Sequence, residues 1–201
     1  VICQNLEKNT LDDLAKTIYQ NFSKNSPVHM VTSSFGFMVS LKILELYPES
    51  FKSLTAVGTT TAFSCIPKAQ ILQMKKDLKK NYKEALNKFY TLIFSQSERE
   101  EENFNRTITF MCQDLEKYNS ETLTSQLEIL STQDFTDILN KLNIPILFIA
   151  GQKDPLIPLE VLKNMQQKTN NSRLEIIEKA GHIPFYTKPD IFNKALDNFL
   201  K

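Results

Sequence analysis

Three side chains in this 201-residue sequence are of the types that together turn a hydroxyl group into a nucleophile. Ser34 follows an apolar run, Asp154 comes just after the strand-like segment 145–151, and His182 directly follows a glycine near the end of the chain. A serine hydroxyl is a poor nucleophile until a base takes its proton, and an acid commonly orients that base. Placed together, these side chains would transfer an acyl group through a covalent serine intermediate.

The nucleophile of such a site needs a tight strand-to-helix turn, where backbone N–H groups of the helix face the reacting carbonyl. Small residues two positions before and two after it let the strand and helix approach closely. For Ser34, Gly36 meets the second requirement and Thr32 stands at the first. Choosing the neighbouring Ser33 would put Phe35 at the crowded position. Ser34 is therefore the preferred nucleophile, Ser33 is the alternative, and the Phe35 N–H is a predicted oxyanion donor.

Each segment also has a simpler interpretation. Serines in such turns commonly cap helices, the pair Asp154-Pro155 is typical of a turn, and a histidine beside a glycine is typical of a surface loop. The combination favours catalysis, because Asp154 and His182 follow the last two predicted strands and would reach the sheet edge where open α/β sheets bind ligands. The second histidine, His29, lies at the far end of its strand, and we interpret it as structural.

The alternation of apolar segments predicts the elements that bring these residues together. Residues 28–32 and 53–58 are predicted strands on either side of a helix that begins at Gly36 and ends before Pro48. A strand–helix–strand unit indicates a parallel sheet with right-handed crossovers. Further predicted elements are the helices 11–22, 159–168 and 190–200 and the strands 145–150 and 174–177.

Between these two blocks the pattern is helical throughout. Periodicity predicts helices at 71–80, 84–94, 98–118 and 122–130. We therefore predict an α/β core formed by residues 1–62 and 132–201, with residues 63–131 inserted as a helical lid. Because the chain starts with Val1 and only a short segment precedes Ser34, we expect that N-terminal strands of the sheet are missing, either removed or part of a longer precursor.

Composition narrows the functional class. With 23% charged residues and a net charge of +1, the chain has no field that would favour nucleic acid. Its three scattered cysteines (Cys3, Cys65 and Cys112) argue against a disulfide framework and for a reducing, cytoplasmic setting. They also lack metal-ligand spacing, so we expect neither a metal nor an organic cofactor. No apolar stretch approaches the roughly 20 residues of a membrane span, and no signal peptide is visible.

The predicted lid carries a cluster of lysines. At helical spacing Lys76, Lys80 and Lys83 share one face. A solvated helix face is one interpretation. The other is a docking site for an acidic partner that delivers an acyl chain. A cluster of glutamates at positions 98–102 follows soon after and could neutralise the lysines.

Together these motifs resemble the α/β-hydrolase superfamily, whose triad occurs in the chain order serine, acid, histidine. Within it, the chain is similar to the pimeloyl-carrier-protein methyl ester carboxylesterases of biotin synthesis. The resemblance extends from about Leu11 to Leu200 and depends on residues 32–36, 54–64, 127–134, 151–158 and 181–185. Thr32 and Phe37 stand where that family usually has glycines.

The resemblance implies an α/β-hydrolase fold, a triad of Ser34, Asp154 and His182, and hydrolysis of a methyl ester on a dicarboxylic acyl chain held by acyl carrier protein. It also implies that lid cations such as Lys76, Lys80 and Lys83 contact the carrier. A general small-molecule esterase or thioesterase of the same fold is the alternative within enzymes. A non-catalytic α/β-hydrolase-like binding module is the alternative outside them.

Overall fold

The computed structural model describes residues 10–21, 27–113 and 115–201, without the side chain of Cys65. These residues form a parallel sheet whose strands lie in chain order. The strands are β1 (Val28–Ser33), β2 (Phe51–Val57), β3 (Ile146–Gly151) and β4 (Ser172–Ile177). Cys3 and Phe22, the last residue of the predicted helix 11–22, lie outside the described residues.

Helices connect and cover these strands. Their bounds are α1 (Leu11–Gln20), α2 (Phe35–Leu46), α3 (Lys68–Leu92), α4 (Gln96–Arg99), α5 (Phe104–Met111), α6 (Ser120–Thr132), α7 (Thr136–Lys141), α8 (Leu159–Lys168), α9 (Pro184–Thr187) and α10 (Pro189–Leu200). Short 3₁₀ turns occur at Pro48–Ser50, Phe63–Cys65 and Leu115–Lys117. No helix in the described ranges combines the length and the apolar character needed to cross a membrane.

Strand β3 is covered by helices on both faces of the sheet. All six of its residues are buried, as expected for a strand of a parallel sheet that is covered on both sides. Because side chains alternate along a strand, Ile146 and Phe148 join a core cluster with α1, α2 and α8. Leu147 and Ile149 join a second cluster with α10 on the opposite face.

Helix α2 lies at the centre of the larger cluster. Phe37 and Leu41 on this helix are fully buried, and the ring of Phe37 meets that of Phe148 edge to face with centroids 6.4 Å apart. Phe37, at a position where the resemblance leads us to expect a glycine, is thus a core residue of this chain.

Helices α3 to α6 lie between β2 and β3 in the chain. We call residues 63–131, which contain them, the helical insertion. The two ends of the insertion lie side by side, because Ala62 and Asp134 form an antiparallel bridge and the Phe135 N–H donates to the Thr61 carbonyl at 3.0 Å. The predicted single helix 98–118 is wrong: α4 ends at Arg99, and a separate helix, α5, begins at Phe104. The short helices α7 and α9 lie outside the segments whose periodicity predicts a helix.

Candidate active site

The register of the sheet brings the candidate residues to one edge. Ser33, the last residue of β1, pairs with Val57 of β2, and Val57 pairs with Ile149 of β3. The carboxyl ends of the strands are therefore level. Ser34 follows β1 directly, while Asp154 and His182 follow β3 and β4.

Asp154 and His182 are joined by a hydrogen bond. The Nδ1 atom of His182 lies 2.8 Å from Oδ2 of Asp154, and both side chains are almost completely buried. The other carboxylate oxygen, Oδ1, accepts hydrogen bonds from the Leu156 N–H (2.8 Å) and the Ile157 N–H (3.0 Å). These two backbone bonds fix the carboxylate and leave Oδ2 for the imidazole.

This hydrogen bond determines which nitrogen of the His182 ring carries the proton and which carries the lone pair. An ionised carboxylate only accepts hydrogen bonds, so Nδ1 of His182 is the donor and the neutral ring carries its lone pair on Nε2. Nε2 is buried and has no hydrogen-bond partner among the described residues, so no hydrogen bond joins it to Ser34 in this arrangement. Buried polar atoms are nearly always partnered. A ring nitrogen with a free lone pair is able to accept a proton, which is one requirement of a general base.

Ser34 lies in a strained backbone conformation at the turn into α2. Its φ of +52° and ψ of −123° are rare for any residue with a side chain. The end of β2 and the segment after it hold this conformation: the Ser34 N–H donates to the Val57 carbonyl at 3.1 Å, and the Thr59 hydroxyl donates to the Ser34 carbonyl at 3.1 Å. Ser33 belongs to β1 instead, so the strained turn falls at Ser34.

The residues around this turn fit without special adjustment. Thr32 turns its hydroxyl to the Thr55 carbonyl at 3.3 Å, and even a Cβ added at Gly36 would lie 3.8 Å from Cβ of Thr32, which is ordinary van der Waals contact. Phe35 is the first residue of α2, and the first N–H groups of a helix have no partner within it. Its N–H, one residue after Ser34 in the chain, therefore has no partner within α2.

Gly58 lies against the aspartate–histidine pair and is not among the residues predicted for the site. Its φ is +52°, and a Cβ at this position would lie 2.9 Å from the carbonyl oxygen of His182 and 3.2 Å from Oδ2 of Asp154. Any side chain would therefore push the aspartate–histidine pair away from β2. The available signal is a glycine at the end of the predicted strand 53–58, since a glycine in a strand often marks close approach of another backbone.

An apolar cavity opens beside Ser34. Its volume is about 320 Å³, and its walls combine Ser34 and Phe35 with residues of α3 and α6. The main apolar side chains that line it are Met74, Leu78, Leu86, Phe89, Leu123 and Leu127. Ligand sites of this size and character commonly hold small organic molecules. The arrangement can bind an apolar chain with its reacting end at Ser34.

The lysines of the insertion lie on α3, but not on one uninterrupted helix. The backbone leaves helical geometry at Asn81, where φ is −159° and ψ is 90°. The spacing argument therefore applies to Lys76 and Lys80 and does not extend across Asn81 to Lys83. Lys83 forms an ion pair with Glu116, and the hydrogen bond to Glu116 raises the pKa of Lys83.

The remaining histidine and the cysteine with a described side chain have other surroundings. Nδ1 of His29 lies 2.7 Å from the Ser53 hydroxyl, within the β1–β2 pair. Burial raises the pKa of the Cys112 thiol, which makes it a poor nucleophile because the thiolate is the reactive form.

Comparisons with known proteins agree on one family. A family model described as the alpha/beta hydrolase fold matches residues 5–189. The chain is 28% identical over 178 residues to a pimeloyl-[acyl-carrier protein] methyl ester esterase of Wigglesworthia glossinidia brevipalpis, covering 84% of this chain and 68% of that protein. A protein of the same name from Nitrosomonas europaea is 27% identical over 174 residues, covering 82% of this chain and 68% of that protein.

Solved structures show the same architecture. A bromoperoxidase from Bacillus anthracis superposes with a TM-score of 0.85 at 21% identity, over 94% of this chain and 72% of that one. The esterase EaEST from Exiguobacterium antarcticum has a TM-score of 0.79 at 20% identity, over 94% of this chain and 70% of that one. At these identities the two likenesses establish the fold.

Proposed function

Because this chain belongs to the alpha/beta hydrolase fold family, we propose that it is a serine carboxylesterase whose catalytic triad is Ser34, His182 and Asp154. One observation carries the proposal. The buried Asp154–His182 hydrogen bond leaves Nε2 of the imidazole unpartnered among the described residues, at the sheet edge where Ser34 forms a strained turn.

In the proposed reaction the acyl chain of an ester enters the apolar cavity and its carbonyl lies beside Ser34. Nε2 of His182 takes the hydroxyl proton as Oγ of Ser34 attacks, and Asp154 stabilises the imidazolium. The Phe35 N–H donates to the oxyanion. His182 then gives the proton to the departing alcohol, and water releases the acid by the same steps in reverse. Catalytic hydrogen bonds commonly tighten only when substrate binds, which explains an unpartnered Nε2 in the free protein.

A fluorophosphonate probe tests this proposal directly, because it reacts with a serine only when a neighbouring base activates the hydroxyl. Labelling should appear on Ser34 in peptide mass spectrometry, and His182→Ala should slow it by about 100-fold or more, the contribution expected of a general base. Ser33→Ala is the matched control and should label at the normal rate. Label on Ser33, or no label on the folded protein, would reject the triad.

For the substrate we propose the methyl ester of a pimeloyl-type chain on acyl carrier protein, a reaction of biotin synthesis that would take place in the cytoplasm. Support comes from the names of the two curated relatives and from the apolar cavity next to Ser34. The helical insertion would act as a lid, since α3 and α6 form most of the cavity wall. A general esterase of the same fold would hydrolyse free esters as readily as carrier-linked ones, and a thioesterase would cleave a thioester bond instead.

Carrier docking predicts a charge effect that is specific to the carrier-linked ester. Reversing Lys76, Lys80 and Lys83 to glutamate should lower kcat/KM for that substrate about 10-fold or more at low salt, because complementary charge steers association, and added salt should shrink the difference. Hydrolysis of a free methyl ester should not change. Lys194→Glu, an exposed position of α10, is the control. An equal loss on both substrates would contradict docking.

A further inference from the structure

Glu98 is a buried acidic residue that the proposed reaction does not use. It lies on α4 of the helical insertion and is only 2% exposed, although charged side chains are seldom buried without a partner. Its Oε2 atom accepts two backbone hydrogen bonds, one from the Ser95 N–H at 2.7 Å and one from the Gly181 N–H at 3.0 Å. Oε1 is buried with no hydrogen-bond partner among the described residues.

Capping of α4 explains only one of these bonds. Ser95 and Glu98 form a capping box, in which the Ser95 hydroxyl also accepts from the Glu98 N–H at 3.3 Å. The Thr10–Asp13 pair forms the same motif on α1, where it is exposed. The bond to Gly181 is different in kind, because it joins the insertion to the residue directly before His182.

Further contacts join the same two segments. The His182 N–H donates to the Ile93 carbonyl at 2.8 Å, and the Ser95 hydroxyl donates to the Lys179 carbonyl at 3.1 Å. Ile183 packs with Ile93 in a buried cluster. Residues 93–98 therefore hold the histidine loop, residues 179–183, from one side, while Asp154 holds the imidazole from the other.

The backbone of the histidine loop lies too close to its neighbours for a side chain at Gly181. A Cβ added at Gly181 would lie 2.7 Å from Oε2 of Glu98 and equally close to the Ile93 carbonyl oxygen. On its other side the Gly181 carbonyl faces β3, where a Cβ on Gly151 would come within 1.8 Å of it. The histidine loop is thus enclosed between the insertion and the sheet.

We infer that Glu98 is a positioning residue for His182: by holding the Gly181 N–H, it places the imidazole and ties that placement to the helical insertion. This inference rests on the proposed function, because it concerns the base of the triad. A misplacement of about 1 Å can cost about 100-fold in rate. None of residues 93–98 is among the residues that line the acyl cavity, so a change at Glu98 should act on the base and leave substrate binding alone.

The test compares three variants with a free methyl ester as substrate. Glu98→Ala removes the acceptor and should lower kcat about 100-fold with KM changed less than about 2-fold, because the acyl cavity is untouched. Glu98→Gln can present its amide oxygen to both N–H groups and should recover kcat to within about 5-fold of the original protein, the cost of a neutral acceptor. Asp13→Ala, which removes the matching capping box on α1, should leave kcat unchanged.

A wild-type kcat in folded Glu98→Ala would overturn the inference, as would a loss that follows the unfolded fraction in a thermal melt. If Glu98→Ala does not fold, Glu98→Asp decides: it keeps the charge, withdraws the acceptor by one methylene, and should lower kcat at unchanged KM. Fluorophosphonate labelling of the unaltered protein separates the two proposals. If the unaltered protein is labelled and Glu98→Asp keeps the wild-type kcat, only the role of Glu98 is rejected. If the unaltered protein is not labelled, the triad and the inference are rejected together.

Discussion

Replacing Ser34 with alanine should lower kcat for ester hydrolysis by about 10⁵- to 10⁶-fold, the scale of loss when the nucleophile of a triad is removed. KM should change little, because the apolar walls of the cavity remain. The variant also separates catalysis from the simpler interpretation of Ser34 as a helix cap. Ser34 makes no side-chain capping hydrogen bond to α2, so its hydroxyl contributes nothing of that kind to stability.

The free energy of unfolding is the second measurement for this variant. A true cap such as Thr10, whose hydroxyl accepts from the Asp13 N–H at 3.2 Å, should cost about 1 kcal/mol when changed to alanine and leave kcat intact. Ser34→Ala should show the reverse pattern, with lost activity and unchanged denaturant midpoint. Retained hydrolysis together with a loss of about 1 kcal/mol would identify Ser34 as a cap and would end the case for it as nucleophile.

The parallel sheet is the part of the molecule that sequence patterns predict well. β3 is a run of apolar residues bounded by Pro145 and the glycine Gly151, and burial on both faces is the physical cause of such a run. The strands, the crossover helix α2 and the α/β-hydrolase fold are confirmed by the structure and by the matching family model. Ser34, Asp154 and His182 come after the ends of β1, β3 and β4, in that order along the chain.

The helical insertion is predicted less well, for a physical reason. Periodicity shows which side of a helix is apolar, but it does not show where polar residues stop the helix. Helix α5 begins at Phe104, inside the segment 98–118 that is predicted as one helix. The break at Asn81, by contrast, falls in the gap between the predicted helices 71–80 and 84–94. Periodicity also does not predict whether a particular glutamate is exposed to solvent or buried. Glu98 belongs to a charged run, and its burial depends on Gly181, far away in the chain.

Asp154→Asn should lower kcat by about 10⁴-fold, and the structure supplies the reason. Oδ1 of Asp154 accepts from the N–H groups of Leu156 and Ile157, so an asparagine must place its only acceptor oxygen there. Its NH₂ group then faces Nδ1 of His182. Because NH₂ can only donate, Nδ1 becomes the acceptor and the proton moves to Nε2. The base would then be blocked at the atom that must accept the proton of Ser34, and a wrong tautomer costs about 10⁴-fold in a serine hydrolase.

Two measurements check this result, namely kcat with a free methyl ester and the ¹⁵N chemical shifts of His182, which distinguish the two tautomers. Asp134→Asn is the matched control, because Asp134 also accepts from a backbone N–H, that of Thr136 at 2.9 Å, and its side chain is exposed. If Asp154 only shaped a turn, asparagine would serve equally well, since it forms the same turns. Activity of Asp154→Asn within a few-fold of the unaltered protein would therefore remove Asp154 from the triad, whereas a large loss with a proton on Nε2 follows only if the carboxylate sets the tautomer of the base.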